Sequence, residues 1–242
     1  MPSPPLEATP FQYSTGLDLG QAADYSAIVV IEWNDRLDPD GARGPDGEPV
    51  YLRHFGVRHL MRWPLRTSYP QIVAETRELF AGSPLRGSTL VIDSTGVGRA
   101  VTDMFRVADI TAELKPMVIT AGFTPTDETV PKIDLVGAVM APLQDRRLTI
   151  AKELELAETL GKELAAFRVK VTPDRNEMFA SWREKDHDDL VLATALAVWQ
   201  ASQQRRFDPD PFGLRYREPV PDTTAHVWNP NPLDPFTGRR RR

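Results

Sequence analysis

Three short segments of this chain set aspartates where a carboxylate is costly unless something neutralises it. Asp18 stands late in the apolar segment Gly16-Leu17-Asp18-Leu19-Gly20. Asp93 ends the segment TLVID, just before Ser94-Thr95-Gly96-Val97-Gly98. Asp188 and Asp189 are adjacent and open the apolar run LVLATALAVW. A carboxylate buried without a partner costs several kcal/mol, and several brought together repel one another. Bound cations remove both penalties. Two metal ions about 4 Å apart, held by shared carboxylates, activate a water and stabilise the leaving oxygen of a phosphodiester. The chain has no Cys and only four scattered His. Thiolate and histidine-rich zinc sites are thereby set aside, and carboxylate ligands favour hard cations such as Mg²⁺ or Mn²⁺.

Each of these acids also has an ordinary structural reading. Asp18 suits a turn before Gly20. Asp93 suits a cap for a helix starting near Val97. Either Asp188 or Asp189 suits the N-cap of the last helix, while its neighbour, turned by about 100° around the axis, serves as a ligand. That helix is apolar on all sides, so its periodicity does not say which of the two points inward.

The elements that must position these residues follow from the hydrophobic pattern. After an arm at 1–11, residues 12–19, 26–33 and 50–60 read as strands, the last two separated by a polar Gly/Pro/Asp loop at 34–49. Three consecutive strands predict an antiparallel meander. From residue 69 the pattern changes: helices are predicted at 69–81, 97–107, 131–146, 154–167 and 188–204, and short strands at 89–93, 114–120 and 148–151. Together they predict an α/β domain over 12–204, a mixed sheet flanked by helices on both faces. Residues 205–242 hold seven Pro and end in GRRRR. They read as a mostly disordered tail.

Composition bounds the function without choosing it. With 242 residues, 41% of them hydrophobic, one sizeable core is expected. The N-terminus MPSPPLEATP has no apolar h-region, and no apolar run approaches the ~20 residues that span a bilayer. A soluble, intracellular protein is expected, neither secreted nor in a membrane. The net charge of −5 is uneven, because residues 205–242 hold eight Arg against five acids and the remainder carries −8. That charge does not advertise a nucleic-acid binder, but an acidic body can still bind DNA if metal ions neutralise a cluster of carboxylates and local basic residues meet the phosphates. The terminal Arg239–Arg242 run suits either DNA phosphates or an acidic protein partner.

The same segments resemble the nuclease domain of tailed-bacteriophage large terminases. Gly16-Leu17-Asp18-Leu19-Gly20, followed by Asp24-Tyr25-Ser26-Ala27 and IVVIEW, resembles the first acidic motif. Val91-Ile92-Asp93-Ser94-Thr95-Gly96-Val97-Gly98 resembles the second, and His187-Asp188-Asp189-Leu190-Val191-Leu192-Ala193 the third. Val130-Pro131-Lys132-Ile133-Asp134-Leu135-Val136 and LQDRRLTIAKELELAETLGKELAAF fit between them, so the likeness spans roughly residues 14–202.

The resemblance implies a ribonuclease H-like fold, an antiparallel three-strand meander plus parallel strands. It implies two divalent cations, Mg²⁺ or Mn²⁺, cleaving concatemeric double-stranded DNA during genome packaging. It makes Asp18 the ligand shared by both metals, Asp93 a ligand to one, and Asp188 or Asp189 a ligand to the other, with Asp186 in reserve. Lys132 and His187 become candidate phosphate or DNA contacts, and Asp24 a residue shaping a turn. Large terminases usually carry a packaging ATPase, yet no GxxxxGK[ST] loop occurs in this sequence. A separate ATPase and the portal are then the expected partners, and Met1 with the Pro-rich tail favours a natural separate chain. A non-catalytic DNA-binding or docking subunit, and a resolvase-like nuclease acting on branched DNA, are the alternatives.

Overall fold

The computed structural model describes residues 8–20, 24–45, 47–122, 124–171 and 188–205. Strands β1 (Gln12–Asp18), β2 (Ala27–Leu37) and β3 (Tyr51–Arg62) form the antiparallel meander. Helix α1 (Tyr69–Phe80) then leads to β4 (Thr89–Asp93), which lies parallel to β1. Helix α2 (Gly98–Val107), β5 (Glu113–Thr120) and β6 (Thr129–Pro131) follow, and helix α3 (Lys132–Gln144) continues directly from β6. Strand β7 (Leu148–Ile150) and helices α4 (Ala157–Val171) and α5 (Asp189–Gln203) complete the described chain.

The seven-stranded sheet has the order β6-β5-β4-β1-β2-β3-β7. Its central run, β3-β2-β1 antiparallel and β1-β4-β5 parallel, is the ribonuclease H-like arrangement. β7 extends it beside β3 and β6 beside β5, both in parallel. Alternation of side chains divides the core in two. Ala27, Val29, Ile31 and Trp33 of β2 face α3, α4 and α5, whereas Ile28 and Val30 face α1 and α2. Among the described residues no helix is long and apolar enough to cross a membrane.

Several boundaries differ from the pattern-based expectation, each for a physical reason. β2 continues to Leu37, through residues whose polarity predicts a loop. Asn34 and Asp35 are buried there because their polar groups are satisfied: Asn34 Nδ2 donates to the Thr9 carbonyl at 3.3 Å, and Asp35 holds Arg53 through two hydrogen bonds of 2.7 and 2.8 Å. Residues 8 and 9, part of the expected arm, lie against this extension, with an Ala8–Arg36 bridge and a bond of 2.8 Å from Thr9 N to the Asp35 carbonyl. β6 has three residues, too few to show a period, and takes its identity from pairing with β5. The expected tail, apart from Arg205, lies outside the described residues.

Helix α5 is the central packing element. Every residue from Asp189 to Ala201 is buried, which explains its unbroken apolar run. It approaches β1 closely enough that a Cβ on Gly16 would sit 1.9 Å from the Ala193 carbonyl oxygen. Ser14 Oγ donates to the Ala197 carbonyl at 2.8 Å. At the far end, Arg53 Nη1 donates to the carbonyls of Ala201 and Gln204, and Nη2 to that of Arg205. These are the acceptors that a helix C-terminus leaves open. The guanidinium also lies over the Trp33 ring, 4.1 Å from its centre.

Two measurements check this packing. Gly16→Ala drives a methyl into helix backbone that has no rotamer to yield, so chemical denaturation should show a loss of about 3 kcal/mol; a loss below about 0.5 kcal/mol would contradict the contact. His59 on β3 is 3% exposed, and burial lowers its pKa from 6.5 to about 4. Its unfolded form therefore takes up a proton first as the pH falls. Stability should decline from pH 6.5 down to about pH 4, by about 3 kcal/mol in all, and level off below. Denaturant midpoints measured across that range should lose this component in His59→Gln.

Candidate active site

Strand pairing brings the first two acids side by side. Leu17 pairs with Ile92 across the parallel β1–β4 ladder, so Asp18 and Asp93 follow at neighbouring strand ends. Leu17 and Ile92 face α1 and α2. Their successors therefore face the opposite side, the one covered by α5. Asp18 remains within the ladder, opposite Ala27, which replaces the turn reading. Asp93 is 2% exposed, and its Oδ1 accepts a hydrogen bond of 2.8 Å from Thr95 N–H. That bond closes a local turn; α2 starts with Val97 at its cap position and no side-chain cap bond. Ser94 is tied to the Met117 carbonyl, and Thr95 Oγ1 accepts from Ile119 N–H, which fixes the loop that carries Asp93.

The register of α5 on β1 places the third corner. Ala197 lies over Ser14 and Ala193 over Gly16, so the helix runs antiparallel to the strand. Four helical residues rise about 6 Å and two strand residues about 6.7 Å. One further step of the same match sets Asp189 over Asp18. Asp188 occupies the N-cap position yet makes no side-chain cap bond, and Asp189 is the first helical residue. Both are buried, at 8% and 7% exposure. The helix N-terminus favours negative charge there.

Two groups that the sequence did not single out complete this corner. Arg62 ends β3 and pairs with Ala27, which itself pairs with Asp18. Its Nη2 lies 2.5 Å from Glu163 Oε1 and 3.6 Å from Asp189 Oδ2. Glu163 belongs to α4, whose Leu160, Leu164 and Phe167 pack in the core beside α5. Its carboxyl is pushed up chiefly by burial; the charges of Asp189 and Asp188 add to the rise and Arg62 opposes it. The signal for Glu163 in sequence is slight, a position one before Leu164 in GKELAAF, where a helical Glu ordinarily meets solvent. Arg62 falls two residues beyond the expected strand end, where nothing marks it.

Lys132, half-buried, opens α3 at the same carboxyl edge of the parallel strands, two strands along the sheet from β4. Asp24 is exposed and lies in the connection between β1 and β2. His187 and Asp186 lie outside the described residues.

The donor chemistry suits a hard divalent cation, since the corner offers carboxylate oxygens and no thiol. Glu163 Oε2 is buried with no hydrogen-bond partner among the described residues. Among the described residues no group of three His, Asp or Glu that could hold one ion stands together; the donor types are those that a hard cation takes.

No protein-family profile matches the chain, and no curated protein matches it. Two solved structures resemble it. The large terminase nuclease from thermophilic phage G20c, with bound zinc, is 20% identical, with a TM-score of 0.45 over 81% of this chain and 82% of that one. The human cytomegalovirus terminase nuclease domain, soaked with Mn, is 11% identical, with a TM-score of 0.43 over 77% of this chain and 83% of that one.

The Arg62–Glu163 pair is largely buried, with side chains 15% and 13% exposed. Glu163→Ala leaves a buried guanidinium with one fewer partner and should lower stability by about 2 kcal/mol. Urea titration checks this, and an unchanged midpoint would mean that the pair is screened like a surface one.

Proposed function

We propose that this chain is a Mg²⁺- or Mn²⁺-dependent endodeoxyribonuclease of the terminase type. In this reading it cuts concatemeric double-stranded DNA during genome packaging by two-metal-ion phosphodiester hydrolysis. The observation that carries it is the placement of Asp18 and Asp93 at adjacent strand ends beneath the α5 N-terminus with its Asp188–Asp189 pair. Three elements far apart in sequence contribute one kind of donor in this reading.

Asp18 would be shared between two cations, Asp93 would hold one, and Asp188 or Asp189 the other. Bound cations would supply an activated water and stabilise the leaving oxygen. The protein's own contribution is positional. The β1–β4 ladder fixes the spacing of Asp18 and Asp93, the Thr95 N–H orients the Asp93 carboxylate, and the contact at Gly16 sets the height of α5. Lys132 and His187 are the candidate contacts to the DNA phosphates. The partners in this reading are double-stranded DNA, a packaging ATPase and the portal, in the host cytoplasm.

A second reading is a non-catalytic DNA-binding or docking subunit. Incubating the full chain with supercoiled plasmid and Mg²⁺ or Mn²⁺ separates the two. Cleavage is expected, with Asp18→Asn and Asp93→Asn each reduced about a hundredfold or more and the exposed Asp24→Asn unaffected. Equal cleavage by wild type and Asp18→Asn would remove the assigned site. Absence of cleavage together with absence of Mn²⁺ binding would favour the docking subunit.

A further inference from the structure

Arg62 stands where the acid corner most needs a positive charge. It ends β3 in the row Arg62–Ala27–Asp18 that crosses three strands. Ala27, the middle residue of that row, contributes only a methyl. Its Nη2 bridges Glu163 and Asp189, which belong to different helices, at 2.5 and 3.6 Å. The guanidinium also lies 5.3 Å from the centre of the Tyr25 ring, within reach of a cation–π interaction. Its side chain is 15% exposed, and Nε is buried with no hydrogen-bond partner among the described residues.

We propose that Arg62 is a resident counter-ion of the acid corner, held by Glu163, and that a divalent cation on the Asp189 side competes with it. The inference rests on the metal-dependent reading above. A divalent ion bound to Asp189 would stand a few ångströms from the guanidinium, and two cations at that separation repel strongly in a partly buried site. Occupancy of the Asp189 side therefore requires Arg62 to withdraw from it. Glu163 provides the place to withdraw to, because it already makes the shorter contact. Arg62 is thus a positioning residue: it keeps the corner assembled without metal and weakens metal binding on one side.

The test is calorimetric titration of the full chain with Mn²⁺ alone, for wild type, Arg62→Gln and Arg62→Lys, with thermal melts in parallel. Arg62→Gln should bind Mn²⁺ about tenfold or more tightly than wild type and show a larger Mn²⁺-induced rise in Tm. Arg62→Lys retains the charge and should stay within about threefold of wild type. Unchanged or weaker Mn²⁺ affinity in Arg62→Gln overturns the inference. If Arg62→Gln fails to fold without metal, Mn²⁺ should restore its helical circular dichroism, and failure to restore it counts against the proposal. Binding by wild type with no gain in Arg62→Gln defeats the Arg62 inference alone. No binding by either chain defeats the metal-dependent reading itself.

Discussion

The contact between α5 and β1 at Gly16 governs the structure. A strand and a helix ordinarily keep a layer of side chains between them. Here the absence of a Cβ lets the helix backbone settle onto the strand, with the Ala193 carbonyl where that methyl would be. Contact at this distance leaves almost no freedom to slide. The Ser14–Ala197 hydrogen bond fixes the register one step away, and Arg53 gathers the carbonyls at the far end. The position of the helix N-terminus follows from that register alone, and with it the height of Asp188 and Asp189 above the sheet.

The electrostatics of the acid corner follow from this geometry. Asp18 and Asp93 share the face that α5 covers, and α5 adds two buried carboxylates of its own. Glu163 is close enough to feel both of them. A group of this kind is tolerable only with positive charge among it, because the interior screens repulsion poorly. The helix N-terminus supplies part, and Arg62 supplies a full charge from β3. The two arginines of β3 thus act on opposite ends of one helix, Arg53 on its carbonyls and Arg62 on its first-turn acid. Arg53 has its own buried counter-ion in Asp35 and is a fixture of the fold. Arg62 is shared between two acids, and its shorter contact is to the one that the proposed metal ligation does not use.

Much of the architecture was legible from the order and period of hydrophobic residues. The β-branched run after Ser26, the short segment TLVID and the helical spacing over 69–81 each have one solution at the scale of a single element. Their order selects a meander followed by alternating helices and strands, and this chain realises it. The failures were local. Asn34 and Asp35 read as loop because their partners, Thr9 and Arg53, are 25 and 18 residues away. β6 was invisible because three residues carry no period.

For the candidate site, sequence by itself determined the acids that end or open apolar segments: Asp18, Asp93 and the Asp188–Asp189 pair. An ionisable residue beside an apolar run stands out without any knowledge of the fold. Tertiary structure decided which groups stand near them. Glu163 lies amid helical residues of ordinary solvent-facing type, and Arg62 closes a strand as many arginines do; neither is marked locally. Their meeting with Asp189 depends on β3, α4 and α5, which are joined only through the sheet and the core. Charge complementarity across such distances leaves no periodic trace in a sequence, because it acts through space and not along the chain.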